Sequence, residues 1–324
     1  MTHDLLPSRH DLVVLGDLVA DLIVPVERLP LLPNNHGWAE GIFLEPGGAG
    51  NVLVAARRLN LSVAALGQLG ADRYGEQALA MLDAEGVDLR HVAVYPERST
   101  VLCMVLADQL NQHVYLGIKD NFGLWPFPQE WHAVIQQSCA LYTDGYTLRY
   151  LLAPEDVFAA FATARAAGTP IFFDPGPSAE FIAREHRERA LAAIDVLLLA
   201  ESEAKFLSPL EDRLELAQAL LALGPSVVVL KLGGEGCLVA TAEEIHQVPG
   251  FSVSVVDTVG AGDSFAPAFI AGWLRGGTLR DSAILANAMG ALTVTQRGAG
   301  TRIPGRERLL ALLADHPAAR ALAG

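Results

Sequence analysis

The chain is poor in the features that mark several large function classes. Its three cysteines, Cys103, Cys139 and Cys237, are odd in number and far apart. They offer no disulfide framework and no thiolate metal spacing, so reduced thiols among apolar side chains are expected. Positive charge is scarce: 23 Lys and Arg against 37 Asp and Glu leave a formal charge of −14. A nucleic-acid or anionic-membrane surface would need a basic face, so neither partner is expected. The nine histidines include no His-Glu-x-x-His and no paired spacing, which argues against a metal hydrolase. Uninterrupted apolar runs such as Val196–Ala200 and Val227–Leu230 are strand-sized, far short of a bilayer span. Met1–His10 lacks the apolar core of a signal peptide. Together these absences predict a cytoplasmic protein.

What is present suits a large buried core. Hydrophobic residues make up 51% of the 324 and charged residues 19%, far from a disordered composition. Leu12–Leu15, Val63–Leu66, Ala140–Tyr142, Ile171–Phe173, Val196–Leu199 and Val227–Leu230 read as buried strands. Between them lie stretches of helical period: Asn51–Leu59, Gly75–Ala84, Pro154–Ala167, Glu180–Ala193 and Leu210–Leu223. Continuous apolar strands alternating with helices predict an α/β sandwich around a mostly parallel sheet. Nearer the C-terminus, strands at Gly236–Ala240 and Ser252–Val256 precede helices at Ala261–Arg275, Leu279–Gln296 and Gly305–Ala314.

Two regions break the rhythm. Asp21–Phe43 joins two short strand-like pieces through the Pro/Asn-rich link Leu29–Asn35. Thr100–Leu106 and His113–Ile118 flank the polar turn Asp108–Gln112. Both pairs read as antiparallel hairpins. They form either a small accessory sheet, a lid lying within about residues 18–45 and 98–119, or an edge extension of the main sheet. No repeat or linker divides the chain, so residues 1–324 read as a single domain.

The sharpest local signal is Asp257-Thr258-Val259-Gly260-Ala261-Gly262-Asp263, entered from an apolar strand-like run and followed by Ser264-Phe265-Ala266-Pro267-Ala268-Phe269-Ile270. Glycines at 260 and 262 let backbone approach a ligand closely. The first N–H groups of a helix lack intrahelical partners and sit at the positive end of its dipole, which suits a phosphate. A carboxylate there can take a proton from a hydroxyl attacking a γ-phosphate. An Asp in a first helical turn is also favourable by itself, by roughly 0.3–1 kcal/mol. No Walker A sequence occurs, and Gly47-Gly48-Ala49-Gly50 lacks the third glycine of a dinucleotide fingerprint.

The 257–265 segment closely resembles the C-terminal signature of the PfkB (ribokinase-like) carbohydrate kinases. Gly47-Gly48-Ala49-Gly50-Asn51 is similar to that family's N-terminal signature, and Gly16-Asp17, Asp21, Gly67–Asp72, Gly233–Gly236, Asn287 and Gly298-Ala299 follow its order along the chain. The resemblance implies a ribokinase-like αβα sandwich with a β-lid, and ATP-dependent phosphotransfer to a small sugar, polyol or nucleoside. It implies Asp263 as the base and the N–H groups of Gly260, Ala261 and Gly262 as the anion hole. Asp17, Asp21, Gly47, Gly48 and Asn51 would hold the acceptor. Gly233, Gly234 and Gly236, with Lys231, would border the nucleotide, and Asn287 its adenine. Mg²⁺ would bridge the phosphates near Glu203 through water. A monovalent cation, potassium, would sit beneath the anion hole against Asp257. Pairing of two copies through the lid is a further expectation.

There are departures. Where the family carries Asn-x-x-Glu, this chain has Ala200-Glu201-Ser202-Glu203, Pro267 stands early in the anion-hole helix, and Leu53 replaces a small residue. Asp174-Pro175-Gly176-Pro177 reads as a turn or a minor ligand contact, and Lys119-Asp120 as a solvated turn or part of the closure. Phe122, Trp125, Phe127 and Trp131 either cover the substrate or belong to the core. The Gly47–Asn51 loop holds no Lys or Arg, which favours an uncharged acceptor unless Arg149 supplies a clamp.

Overall fold

Strand Leu12–Leu15 shows why the long apolar runs become central strands. Leu12 and Val14 point into one core, Val13 and Leu15 into the other. Val227–Lys231 divides the same way, with Val227 and Val229 on one side and Val228 and Leu230 on the other. A strand covered on both faces has no polar side to present, so its sequence is apolar throughout. The computed structural model describes residues 9–34, 36–110 and 112–324. Met1–Ser8, Asn35 and Asn111 lie outside the described residues, and with them most of the N-terminal segment read for a leader.

The main sheet has eight strands, in the order Ile245–Pro249, Gly236–Ala240, Val227–Lys231, Val196–Ala200, Ile171–Asp174, Leu141–Asp144, Leu12–Leu15 and Val63–Leu66. From Val227–Lys231 onward the pairing is parallel, and the first two strands run antiparallel. Helices Ala49–Arg58, Ala261–Leu274 and Leu279–Thr293 pack on one face, Pro154–Ala167 and Arg213–Leu221 on the other. A second sheet of four strands, Phe43–Gly48, Leu18–Pro25, Leu102–Ala107 and His113–Ile118, is the predicted accessory layer. Both hairpins are antiparallel as expected, and Leu18–Pro25 joins them by running parallel to Leu102–Ala107.

Some elements differ from the reading. Ser252–Val256 is not a strand, although its residues alternate like one. It lies beyond the edge of the sheet, with Val255 53% exposed, and its backbone tie is Val256 N–H to Val294 C=O. The edge strand is instead Ile245–Pro249, whose polar sequence hid it. The predicted helix Glu180–Ala193 begins only at Arg184, after a 3₁₀ turn at Gly176–Glu180. Among the described residues no helix is long and apolar enough to cross a membrane. All three cysteines are free.

Candidate active site

Neighbouring parallel strands end on Asp144, Asp174, Ala200 and Lys231, so the sheet's carboxyl edge delivers three polar side chains to one place. Asp17 follows the end of Leu12–Leu15 on the same edge. This is where parallel α/β sheets bind ligands. A cavity of about 1130 Å³ opens there, between the strand ends, the accessory sheet and the start of helix Ala261–Leu274. Asp17, Asp21, Asn51, Tyr115 and Asp144 line one end, and Lys231, Gly233, Gly234 and Asn287 the other, with Asp263 among the lining residues.

Gly260 caps the helix with φ 74°, a left-handed turn open to glycine, and a Cβ there would meet Ala299 at 2.4 Å. The turn brings the N–H groups of residues 260–262 to the cavity wall. Lys231 Nζ lies 3.4 Å from where a Cβ on Gly262 would stand, so an ammonium flanks this helix start. Lys231 is half-buried and pairs with Asp174 at 2.6 Å. Burial alone would lower its pKa, but Asp174 and Glu203 outweigh that and raise it. Pro267 is buried inside the helix and cannot donate to the Asp263 carbonyl one turn back, a loss of one bond beyond the first turn.

Asp263 is half-buried at the cavity wall, and desolvation, opposed by a hydrogen bond from Asn51, raises its pKa to about 6. Asn51 Nδ2 donates to Asp263 Oδ2 at 2.8 Å, while Asn51 Oδ1 accepts the Gly300 N–H at 2.8 Å. Asn51 therefore ties Asp263 to the Gly300 backbone and lines the cavity beside it. Asp21 is pushed further, to about 8, by burial and then by the charge of Asp263. Asp17 is 2% exposed, neither carboxylate oxygen has a partner, and burial with Asp144 nearby raises it to about 7. Asp144, raised to about 6 by burial, accepts from Thr147 N–H and Oγ1.

The paired glycines divide their roles. A Cβ on Gly47 would lie 2.2 Å from the Asp21 carboxylate, so this glycine makes room for Asp21 and does not itself line the cavity. Gly48 does line it, at φ 54°. Gly233 and Gly234 have open space where a side chain would be. Gly236, at φ 103°, lines the cavity as well but also packs against the edge strand, where a Cβ would run into the Val248 carbonyl. The Asn287 amide donates to the carbonyls of Val248 and Pro249 and holds that strand's end beside the cavity. Glu203 Oε2 accepts the Ala200 N–H at 2.7 Å, so it fastens the departure site at Ala200 while facing the cavity. Asp257, expected to face a cation, accepts two backbone N–H donors and keeps lone pairs free. Its Oδ1 takes the Val259 N–H at 2.9 Å and stands 3.0 Å from His113 Nε2, and its Oδ2 takes the Gly298 N–H at 2.8 Å.

The aromatics that line the cavity were not the ones read from the sequence. Trp125, Phe127 and Trp131 belong to the core, and Phe122 is exposed. Tyr115, Tyr142, Tyr146 and Tyr150 line the site instead. Asp144-Gly145-Tyr146 immediately after an apolar run was the available signal, an acid at a strand's carboxyl end. Asp120 is held by Arg98 at 2.8 Å, and Arg149 stacks on Phe181, so neither reaches the acceptor end.

A mostly parallel sheet with a β-lid over a glycine-turned helix start and its half-buried aspartate is the arrangement of a small-molecule kinase class. The model of the pfkB family carbohydrate kinases matches residues 9–306, and the chain belongs to that family. It is 32% identical over 300 residues to an ATP-dependent ribose-1-phosphate kinase of Halopiger xanaduensis, covering 93% of this chain and 97% of that one. It is 29% identical to a fructokinase of Vibrio alginolyticus, covering 92% and 97%. Among solved structures it is similar to Arabidopsis thaliana ribokinase complexed with ribose and ATP, with a TM-score of 0.80, 25% identity, and 94% and 98% of the two chains covered. Thermotoga maritima ribokinase shares the fold, with a TM-score of 0.80 at 22% identity over 94% and 99%.

Proposed function

We propose that this carbohydrate kinase transfers the γ-phosphoryl group of ATP to a hydroxyl of an uncharged polyol, with Asp263 as the base. The carrying observation is Asp263 in the first turn of the glycine-started helix, facing the cavity and held by Asn51 Nδ2 at 2.8 Å, with Asp21 raised further than Asp263, to about 8 against about 6. Groups pushed apart in this way take opposite proton roles at one pH. Asp263 would accept the proton of the attacking hydroxyl, and protonated Asp21 would donate to a neighbouring one. The N–H groups of Gly260, Ala261 and Gly262, with Lys231, would meet the charge on the transferring phosphoryl.

The glycine cradle at 233–234 and the carboxylates of Asp174 and Glu203 beside Lys231 suit ATP and Mg²⁺. Asp174 and Glu203 would hold the metal's waters, and the ion would neutralise phosphate charge. Residues 1–324 form one kinase domain in this reading, with the four-stranded sheet as its lid.

Substrate choice follows from charge. Among the described residues Lys231 is the one Lys or Arg lining the cavity, and it sits at the phosphate end. An acceptor already carrying a phosphate would find carboxylates at its own end. A nucleoside is the second reading, favoured by Tyr115, Tyr146 and Tyr150 around that end. A turnover panel of ribose, fructose, adenosine and ribose 1-phosphate, with the purified protein and ATP, tests both. Preferential turnover of ribose 1-phosphate would refute the charge argument.

The lid's outer face presents Val114, Leu116 and Ile118 to solvent on alternate positions of one strand, and a second copy covering it fits the proposed dimer. Sedimentation of the protein and of Leu116→Glu reads that directly, since a monomeric native protein excludes it. The proposed location is the cytoplasm.

A further inference from the structure

Three donors from two consecutive residues converge on one carboxylate of the lid. Glu45, in the lid strand Phe43–Gly48, is 6% exposed and is not among the residues that line the cavity. Its Oε2 accepts from Thr301 N–H at 2.9 Å and from Thr301 Oγ1 at 2.6 Å, and its Oε1 accepts from Arg302 Nε at 2.9 Å. The Arg302 guanidinium also lies 4.8 Å over the Phe43 ring of the same strand. A Cβ on Gly300 would stand 2.8 Å from the Glu45 Cβ, and φ there is 60°, so glycine lets this turn approach the strand. A buried carboxylate with three donors, one of them cationic, holds a short turn firmly.

The turn that Glu45 holds is the one that faces Asn51. Gly300 N–H donates to Asn51 Oδ1 at 2.8 Å, and Asn51 Nδ2 donates to Asp263 Oδ2 at 2.8 Å. A backbone N–H can only donate, so it decides which end of the amide turns toward it. Oδ1 faces Gly300, and Nδ2 is left for the carboxylate. Without that N–H the amide could present either end, and an oxygen turned toward ionised Asp263 would repel it. Two residues earlier, Gly298 N–H donates to Asp257 Oδ2 at 2.8 Å, so the same segment also holds the run that leads into the helix of Asp263.

We propose that Glu45 is a positioning residue for the base: from the lid strand it holds the 300–302 turn, the turn fixes the Asn51 amide, and the amide is thereby aimed at Asp263. The inference rests on the kinase reading above, in which Asp263 takes the proton of the attacking hydroxyl. Glu45 acts only through these links. Losing it weakens a donor to ionised Asp263, so that carboxyl holds its proton to higher pH and the base works over a narrower range.

The test is a double-mutant cycle on the whole protein, read as the acidic limb of its kcat/KM–pH profile. Glu45→Gln keeps the shape, but its Nε2 cannot accept a hydrogen bond, so one side of the clamp is lost. The limb should move up by about 0.5–1 pH units, short of the roughly 1–2 expected for Asn51→Ala. In the Asn51→Ala background the same change should move it by under about 0.3 units, because the link it acts through is gone. Equal shifts in the two backgrounds, or a lower Tm with the limb unmoved, would show a merely structural role and overturn the proposal. If Glu45→Gln folds poorly, Thr301→Val removes one donor to Oε2 instead and should move the limb the same way by a smaller step; an unmoved limb there counts against the proposal equally. Carbon-13 NMR of the Asp263 carboxyl, assigned by its loss in Asp263→Asn, follows the same ionisation without turnover. Its titration in the ligand-free protein should shift to higher pH in Glu45→Gln, and an unchanged titration would refute the coupling. If no acceptor turns over, the kinase reading fails, and the titration still decides whether Glu45 acts on Asp263.

Discussion

Replacing Asp17 by Asn should stabilise the ligand-free protein, and only at neutral or alkaline pH. Asp17 is 2% exposed, both of its oxygens lack partners, and its pKa rises from 3.8 to about 7 through burial and then the charge of Asp144. A carboxyl whose folded pKa lies above its unfolded one favours the fold while protonated. That advantage is complete below about pH 4 and is lost as pH rises from there to about 7. A shift of about 3 units at 1.36 kcal/mol each sets an upper bound near 4 kcal/mol at pH 8. The charge of Asp144 acts on Asp17 and that of Asp17 on Asp21, so removing one relieves its neighbours, and about 2–4 kcal/mol is the working range.

Asn keeps the shape and carries no charge. With an unfolding entropy of about 2.1 cal/mol/K per residue, that range corresponds to roughly 3–6 °C in Tm for a chain of this length. Near pH 4.5 the same substitution should shift Tm by under about 2 °C. Calorimetry of both proteins at the two pH values measures this, with acceptor affinity followed in parallel because Asp17 faces the cavity. A Tm difference of the same size at both pH values, or destabilisation at pH 8, would refute the reasoning.

Asp263→Asn should cost roughly 10²–10⁴-fold in kcat while ADP still raises Tm, and kcat/KM of the native protein should fall as pH drops through about 6. Asn51→Ala removes a charge-assisted hydrogen bond of about 1.5–3 kcal/mol, so that acidic limb should move up by about 1–2 pH units, seen in a kcat/KM–pH profile. Gly47→Ala drives a methyl into the Asp21 carboxylate; acceptor KM should rise about tenfold or more with ATP KM little changed, which initial-rate kinetics would show.

The sequence carried the fold in its periodicities. Doubly covered strands must be apolar on both sides, and helix Pro154–Ala167 was delimited to the residue because Pro opens it and Gly168, at φ 69°, closes it. The candidate site was legible where a backbone position needs a rare residue, as with Gly260 at φ 74°, which starts the helix that carries Asp263 to the cavity. It was not legible where the tertiary fold brings distant residues together. Nothing near Asp144 in the chain indicates that it faces Asp17, nor anything near His113 that it will meet Asp257. Ile245–Pro249 was missed for a related reason: an edge strand needs apolar residues on one face only, and here just Val248 is fully buried.

The cavity is lined by Asp17, Asp21, Asp144, Asp174, Glu203 and Asp263 but by one ammonium, Lys231, among the described residues. Such a group cannot be fully ionised in a buried space, so the protons it retains must be distributed by contacts. Lys231 fixes Asp174 by direct pairing, and Asn51 favours ionised Asp263. Asp21 and Asp17 have no comparable donor and keep protons to higher pH. In the proposed mechanism the choice of Asp263 as base would therefore be made by Asn51, a residue of the other signature, 212 positions away in the chain. Each signature is incomplete alone: an aspartate at a helix start becomes a base only when the fold aims that amide at it and withholds one from its neighbours.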